Sequence, residues 1–95
     1  MWSVQIHPLV LKEDFPRIDK SARERILKAV YKKLTHSPSE YGKPLTGPLK
    51  GYWRLRVDDY RVIYRIEKTL ITVFVIKVGI RRDEQVYREL SSRIR

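Results

Sequence analysis

Residues 52–78 contain three runs with strand character, and the turns between them are too short for anything except hairpins. Residues 52–57 and 60–66 alternate apolar and polar side chains on either side of a two-residue acidic turn, while residues 70–78 are apolar almost throughout. Two-residue loops join antiparallel strands, so this half of the chain is restricted to three antiparallel strands. The uniformly apolar third run predicts a central strand that is covered on both faces.

Arginines occupy one face of these strands. Side chains two residues apart on a strand leave the same face, so Arg54 and Arg56 lie together, and Arg61 follows just past the tight turn. Arg81 comes after the third strand, where loops commonly carry function. Arginine keeps its proton at working pH, and its flat fork matches phosphate oxygens. The pattern therefore favours a polyanion ligand, most simply RNA or DNA, over an ordinary solvated sheet face.

The N-terminal half predicts one strand and two helices. Residues 2–7 alternate and predict a first strand. Residues 9–18 have helical spacing, but Pro16 predicts that this helix kinks or ends near residue 15. Residues 20–36 predict the clearest helix, which Asp19 or Ser21 can cap, the latter in a capping box with Glu24.

The complete order of elements is predicted to be β-α-α-β-β-β-α. A loop rich in proline and glycine covers residues 37–51, and a last helix from about Asp83 presents Tyr87. We therefore expect an α+β fold with a small, mostly antiparallel four-stranded sheet. The two N-terminal helices should cover one sheet face, and the face that carries the arginines should stay at least partly open.

Composition limits the class of protein. The chain has 95 residues, 42% of them hydrophobic, and a formal net charge of +10, which predicts one basic globular domain over residues 1–95. Because there is no cysteine, disulfides, thiolate metal ligands and cysteine nucleophiles are excluded. Without a close cluster of His, Asp and Glu, we expect no metal and no cofactor. The lack of a long apolar run or a signal-peptide pattern predicts a cytoplasmic protein without a membrane partner.

Three segments together resemble the RelE/ParE superfamily of bacterial and archaeal toxins, and more specifically its RelE branch. They are the loop-to-strand run PLTGPLKGYWRLRV, the segment DYRVIYRI and the tail VFVIKVGIRRDEQVYREL. The resemblance covers nearly the whole chain, and the order of elements agrees with it.

The resemblance implies an endoribonuclease, the toxin of a toxin–antitoxin pair, which cleaves mRNA in the ribosomal A site without a metal. In such toxins the 2′-hydroxyl attacks the adjacent phosphate and a 5′-hydroxyl leaves. Carried over position by position, the implied catalytic residues are Arg54, Arg56, Arg61, Arg81 and Tyr87.

Further residues and partners follow from the same expectation. Substrate-binding cations are expected at Lys50, Arg65, Lys77 and Arg82. The implied partners are mRNA, the ribosome and a small acidic antitoxin that is similar to RelB. Two alternatives remain: a ParE-like toxin that inhibits gyrase, and a non-catalytic nucleic-acid-binding or degenerate toxin.

Overall fold

The computed structural model describes residues 1–80 and 83–94. No helix in these two stretches is both long enough and apolar enough to cross a bilayer. The elements in chain order are β1 (Ser3–Ile6), a π-helical turn (Val10–Asp14), a 3-10 turn (Phe15–Arg17), α1 (Lys20–Lys33), α2 (Pro38–Tyr41), β2 (Lys43–Pro44), a second 3-10 turn (Gly47–Leu49), β3 (Tyr52–Val57), β4 (Tyr60–Glu67), β5 (Thr72–Ile80) and α3 (Asp83–Arg93).

Within the described residues, five strands form a mixed sheet in the order β1-β5-β4-β3-β2. The strand β1 runs parallel to β5, and every other pair is antiparallel. The α+β class and the antiparallel meander are as predicted, but the predicted count of four strands is wrong. The additional strand is β2, which is only two residues long, so it leaves no alternation in the sequence. Its Pro44 lacks an N–H, which an edge strand tolerates.

The first hairpin forms where the sequence predicts it. Asp58 and Asp59 connect β3 to β4, and Asp58 has a φ of 53°. Aspartate enters this left-handed region more easily than most residues, so an acidic pair can form a turn this tight.

One long helix, α1, covers the first face of the sheet. The Asp19 carboxylate caps it by accepting a hydrogen bond from Ala22 N at 3.3 Å. Ser21 lies inside the helix, where its hydroxyl accepts from Arg25, so the predicted capping box with Glu24 does not form. The apolar stripe of α1 is buried against the sheet together with side chains of β1, β3, β4 and β5.

The helix predicted over residues 9–18 is replaced by two short turns. Val10–Asp14 is a single π-helical turn, and Phe15–Arg17 is a single 3-10 turn. Pro16 has no N–H to continue an α-helical ladder, and the change from one turn to the other at Phe15 agrees with the predicted kink or end near residue 15. These turns bury Asp14, whose carboxylate reaches the other face of the sheet.

The second sheet face is covered in part by α3. A small apolar cluster of Leu49, Ile63, Val86 and Leu90 joins this helix to β4 and to the loop before β3. The sheet face that was expected to stay at least partly open is therefore covered where α3 packs on it and is open only beside this helix. The covering helix is short, and it leaves the arginines of β3 at its edge.

A bulge in β5 decides which side chains face α3. Tyr64 pairs with Val75 and Ile63 pairs with Lys77, so Ile76 is an extra residue between them. Val75 faces the core beneath α1, and Lys77 on the other side of the bulge faces α3.

Candidate active site on the α3 face

The arginine row consists of Arg54 and Arg56 on β3 and Arg61 on β4. The register places Arg56 directly opposite Arg61 and places Lys43 of β2 directly opposite Arg54. Side chains directly opposite on antiparallel strands lie within about 5.5 Å at their Cβ atoms, and like charges in such pairs repel. Arg56 is exposed, whereas Arg61 is 6% exposed and donates to the backbone oxygen of Tyr60 at 3.4 Å. The row therefore concentrates positive charge at one edge of α3.

Tyr87 joins this row from α3. Nη1 of Arg54 donates a hydrogen bond to the Tyr87 hydroxyl at 3.3 Å. The preceding residue, Val86, is buried in the apolar cluster and lies against Gly79 of β5. A Cβ at Gly79 would lie 2.6 Å from Cγ2 of Val86, so only glycine allows the helix to approach this closely. The close approach brings the tyrosine within reach of the row.

A groove of about 590 Å³ lies between α3 and the loop that contains β2. Arg54 and Tyr87 form one part of its wall, and Lys43 and Arg88 add two further cations. The sequence-based prediction missed Lys43 and Arg88. Lys43 lies in a stretch that reads as loop, and only its pairing with Arg54 brings it here. Arg88 directly follows Tyr87 on a helix, and this position next to a predicted site residue was the only feature of the sequence that could have indicated it.

Two of the predicted substrate-binding cations, Lys50 and Arg65, are not among the residues that line this groove. Lys50 is exposed in the turn before β3. Arg65 lies four residues beyond Arg61, which is roughly 13 Å along a strand. Its guanidinium stacks on the Phe74 ring, 5.1 Å from the ring centroid. The structure therefore groups neither residue with Arg54 and Tyr87.

The predicted role of Lys77 in substrate binding does not fit its surroundings. Its side chain is 4% exposed, and Nζ lies 2.8 Å from Asp14 Oδ1 and 3.3 Å from Glu89 Oε1. A buried ammonium group held by two carboxylates is not available to a phosphate. Lys77 belongs to an ion cluster, which consists of Asp14, Lys77, Glu89 and Arg93.

The ion cluster fastens the C-terminal half of α3 to the sheet. Arg93 donates to both carboxylate oxygens of Asp14, at 2.8 and 3.0 Å, and to the backbone oxygen of Ile76 at 3.0 Å. Burial alone would raise the pKa of Asp14, but hydrogen bonds from Arg93, Lys77 and the Val78 N–H together outweigh burial and lower that pKa. Asp14 is therefore an ionised carboxylate at neutral pH.

Arg81, predicted as catalytic, and Arg82, predicted as substrate-binding, lie outside the described residues. Of the nine predicted site residues, the structure joins Arg54 to Tyr87 by a hydrogen bond and sets Arg56 opposite Arg61.

The family model described as the ParE toxin of the type II toxin–antitoxin system parDE matches residues 4–85. The chain belongs to the RelE/ParE superfamily, on its RelE branch.

Individual relatives agree with this placement. The toxin RelG of Mycobacterium tuberculosis is 38% identical over 68 residues, which cover 67% of this chain and 76% of the relative. The mRNA interferase toxin RelE of Escherichia coli is 31% identical over 83 residues, which cover 86% of each chain. Among solved structures, the toxin–antitoxin complex RelBE2 of Mycobacterium tuberculosis contains a chain with a TM-score of 0.79 and 25% identity, covering 84% of this chain and 98% of that one.

Proposed function

We propose that this toxin is a ribosome-dependent mRNA endonuclease. The observation that carries the proposal is the contact between Arg54 and Tyr87 at the end of the arginine row, where a proton-carrying hydroxyl adjoins several fixed positive charges. The similarity to a relative that is named an mRNA interferase toxin supports the same activity.

In the proposed reaction, every bond that forms or breaks at phosphorus joins it to an oxygen of the RNA itself. The 2′-oxygen of one nucleotide forms a bond to the adjacent phosphorus, and the bond from that phosphorus to the 5′-oxygen breaks. A 2′,3′-cyclic phosphate and a 5′-hydroxyl result. The 2′-hydroxyl gives up a proton, the leaving 5′-oxygen receives one, and the phosphorane between these steps carries additional negative charge.

The side chains divide these tasks by their chemistry. Arginine cannot accept a proton at working pH, so Arg54 and Arg56 hold the phosphate, while the buried Arg61 adds positive charge that stabilises the phosphorane. The Tyr87 hydroxyl transfers a proton at the scissile linkage. We include Arg81 as a further phosphate ligand on the family resemblance alone. The ribosome would hold the mRNA so that the 2′-oxygen and the leaving oxygen lie in line.

We also propose an acidic antitoxin as the partner of this toxin. The chain carries a net charge of +10, and the solved structure of similar fold described above is a toxin–antitoxin complex. A small acidic protein that is similar to RelB would neutralise the basic face.

Primer extension on mRNA from cells that express the chain tests the nuclease function. We expect cuts within translated codons, and we expect them to disappear when translation of the same message is blocked. An Arg81→Ala variant should lose growth arrest and remain folded. A toxic, folded Arg81→Ala protein would remove Arg81 from the site.

The same experiment separates the alternatives. Gyrase inhibition is one alternative, because the matching family model describes a ParE toxin. Intact mRNA together with gyrase-linked DNA breaks would support gyrase inhibition and contradict the proposed nuclease function. Intact mRNA in cells that grow normally would indicate a toxin without catalysis.

A further inference from the structure

We infer that the groove beside Arg54 and Tyr87 binds the base of a nucleotide next to the scissile linkage. This inference rests on the proposed function, because it places a second part of the RNA beside the proposed cleavage site. The volume of about 590 Å³ lies within the range of about 300–1,000 Å³ that is typical of small-molecule pockets.

The walls of the groove have the chemistry that a nucleobase needs. The apolar part consists of side chains from the loop between α2 and β3, and these are Pro44, Leu45, Pro48 and Leu49. These side chains can cover the apolar face of a base, and Tyr87, which also lines the groove, has an aromatic ring of the kind on which bases stack. Thr46 offers a hydroxyl group to the edge of a base.

Charge decides between a nucleotide and an apolar ligand. Among the described residues that line the groove, Lys43, Arg54 and Arg88 are basic and none is acidic. A nucleotide combines an apolar face with a negatively charged phosphate, and the groove combines an apolar wall with positive charge. Arg54 is shared between the groove and the arginine row, so a base in the groove places its own phosphate at the row.

The groove is already formed in the free protein. Leu45 N donates to Tyr52 O at 2.9 Å, which ties the loop to β3. Leu49 is buried in the apolar cluster beneath α3, and Leu49 N donates to Thr46 O at 3.3 Å. These contacts fix the loop wall, and the ion cluster and the buried Val86 and Leu90 hold α3. Binding a base therefore orders little of the protein, which favours affinity.

The test compares two RNA dinucleotides that cannot be cleaved because the attacking sugar lacks its 2′-hydroxyl. One carries both bases, and the other is abasic at one nucleotide. We expect the methyl NMR signals of Leu45 and Leu49 to shift with the first and not with the second. Stacking of a base on an aromatic side chain such as Tyr87 typically contributes roughly a tenfold difference in affinity. Equal affinity for the two dinucleotides would overturn the inference.

Two serines on α3 provide a matched pair of variants. Ser91 lines the groove, and its hydroxyl donates to Tyr87 O inside the helix at 3.0 Å. Ser92 is exposed and lines a separate cavity beside the ion cluster. Ser91→Leu should fill the groove and abolish the preference for the base-bearing dinucleotide, whereas Ser92→Leu should retain it. Circular dichroism would verify that both variants are folded.

The remaining outcomes are also decisive. If wild-type protein cleaves mRNA and Ser91→Leu leaves both the cleavage map and the preference unchanged, the inference fails while the proposed function stands. If no mRNA is cleaved, the proposed function fails, and the dinucleotide measurement still decides whether the groove binds a base. If an acidic amphipathic peptide shifts the leucine methyl signals and the dinucleotide does not, the groove is a peptide site and the inference is overturned.

Discussion

Two groups of basic side chains lie on the same face of the sheet, and they differ in what surrounds them. In the ion cluster, Lys77 and Arg93 each lie 2.8 Å from the buried Asp14 carboxylate. In the arginine row, the register sets Arg56 opposite Arg61, and Arg54 contacts a tyrosine.

The comparison shows that a basic residue on a sheet face does not by itself indicate an anion site. Lys77 and Arg54 both lie on strands and both face α3, yet Lys77 fastens the helix and Arg54 faces the groove. Lys77 is held by Asp14, which is distant in sequence and lies against β5 at the end of the π-helical turn Val10–Asp14. Four experiments test this difference between the ion cluster and the arginine row.

The largest effect is expected from Asp14→Ala. It leaves the buried Lys77 and the clustered Arg93 without their shared carboxylate. Removing one partner of a buried ion pair typically costs about 3–5 kcal/mol of unfolding free energy. Urea unfolding measures this loss. A cost below about 1 kcal/mol, as is usual for a surface pair, would mean that the ion cluster does not hold α3.

Tyr87→Phe should affect activity and leave the fold nearly unchanged. Losing a group that transfers a proton typically lowers the rate about 10²–10⁴-fold. Quantitative primer extension with defined amounts of toxin measures this loss. Tyr31→Phe is the matched control, because Tyr31 is an exposed tyrosine on α1. Full activity in the Tyr87→Phe protein would exclude the hydroxyl from the reaction.

Acid should weaken the ion cluster selectively. Because folding lowers the pKa of Asp14, its ionised form contributes stability above the unfolded pKa of about 3.9, and that contribution is lost as pH falls through the lower folded value. The stability difference between wild type and Asp14→Asn should therefore be constant from about pH 5 to 8 and should narrow in more acidic solution. A difference that stays the same down to pH 2 would contradict the assignment.

The smallest effect is expected at an exposed pair. Arg25 Nε lies 2.9 Å from Asp58 Oδ2, and both side chains are more than half exposed. Such pairs contribute about 0–1 kcal/mol, so Arg25→Gln should leave the urea midpoint almost unchanged. A cost near that of Asp14→Ala would show that burial is not what separates the two kinds of ion pair.

The parts of the fold that follow from local chemistry could be predicted from the sequence. The hairpin follows from the turn at Asp58 and Asp59. The alternation before this turn places Arg54 and Arg56 on the same face of the sheet. The existence of β2 could not be predicted, because two residues produce no periodicity. The partner of Lys77 could not be predicted either, since no local pattern links it to Asp14.

The bulge explains a second limit of the sequence-based prediction. Alternation continued through β5 without interruption would group Lys77 with Val73 and Val75 in the apolar core. The extra residue Ile76 shifts the alternation by one position, so that Lys77 faces α3 instead of the core. In a run of apolar residues, nothing in the sequence shows where such an extra residue lies. Burial of the strand on both faces was predictable, whereas the side that each residue faces was not.

The same bulge gives β5 one place that can absorb a change in chain length. Loss of the codon for Ile76 would convert the irregular pairing into an ordinary ladder and would leave Val75 and Lys77 on the faces they now occupy. Loss of the codon for Phe74 would instead move the side chains on one side of the deletion to the opposite face of the sheet. Tolerance of single-codon deletions along β5 should therefore peak sharply at position 76.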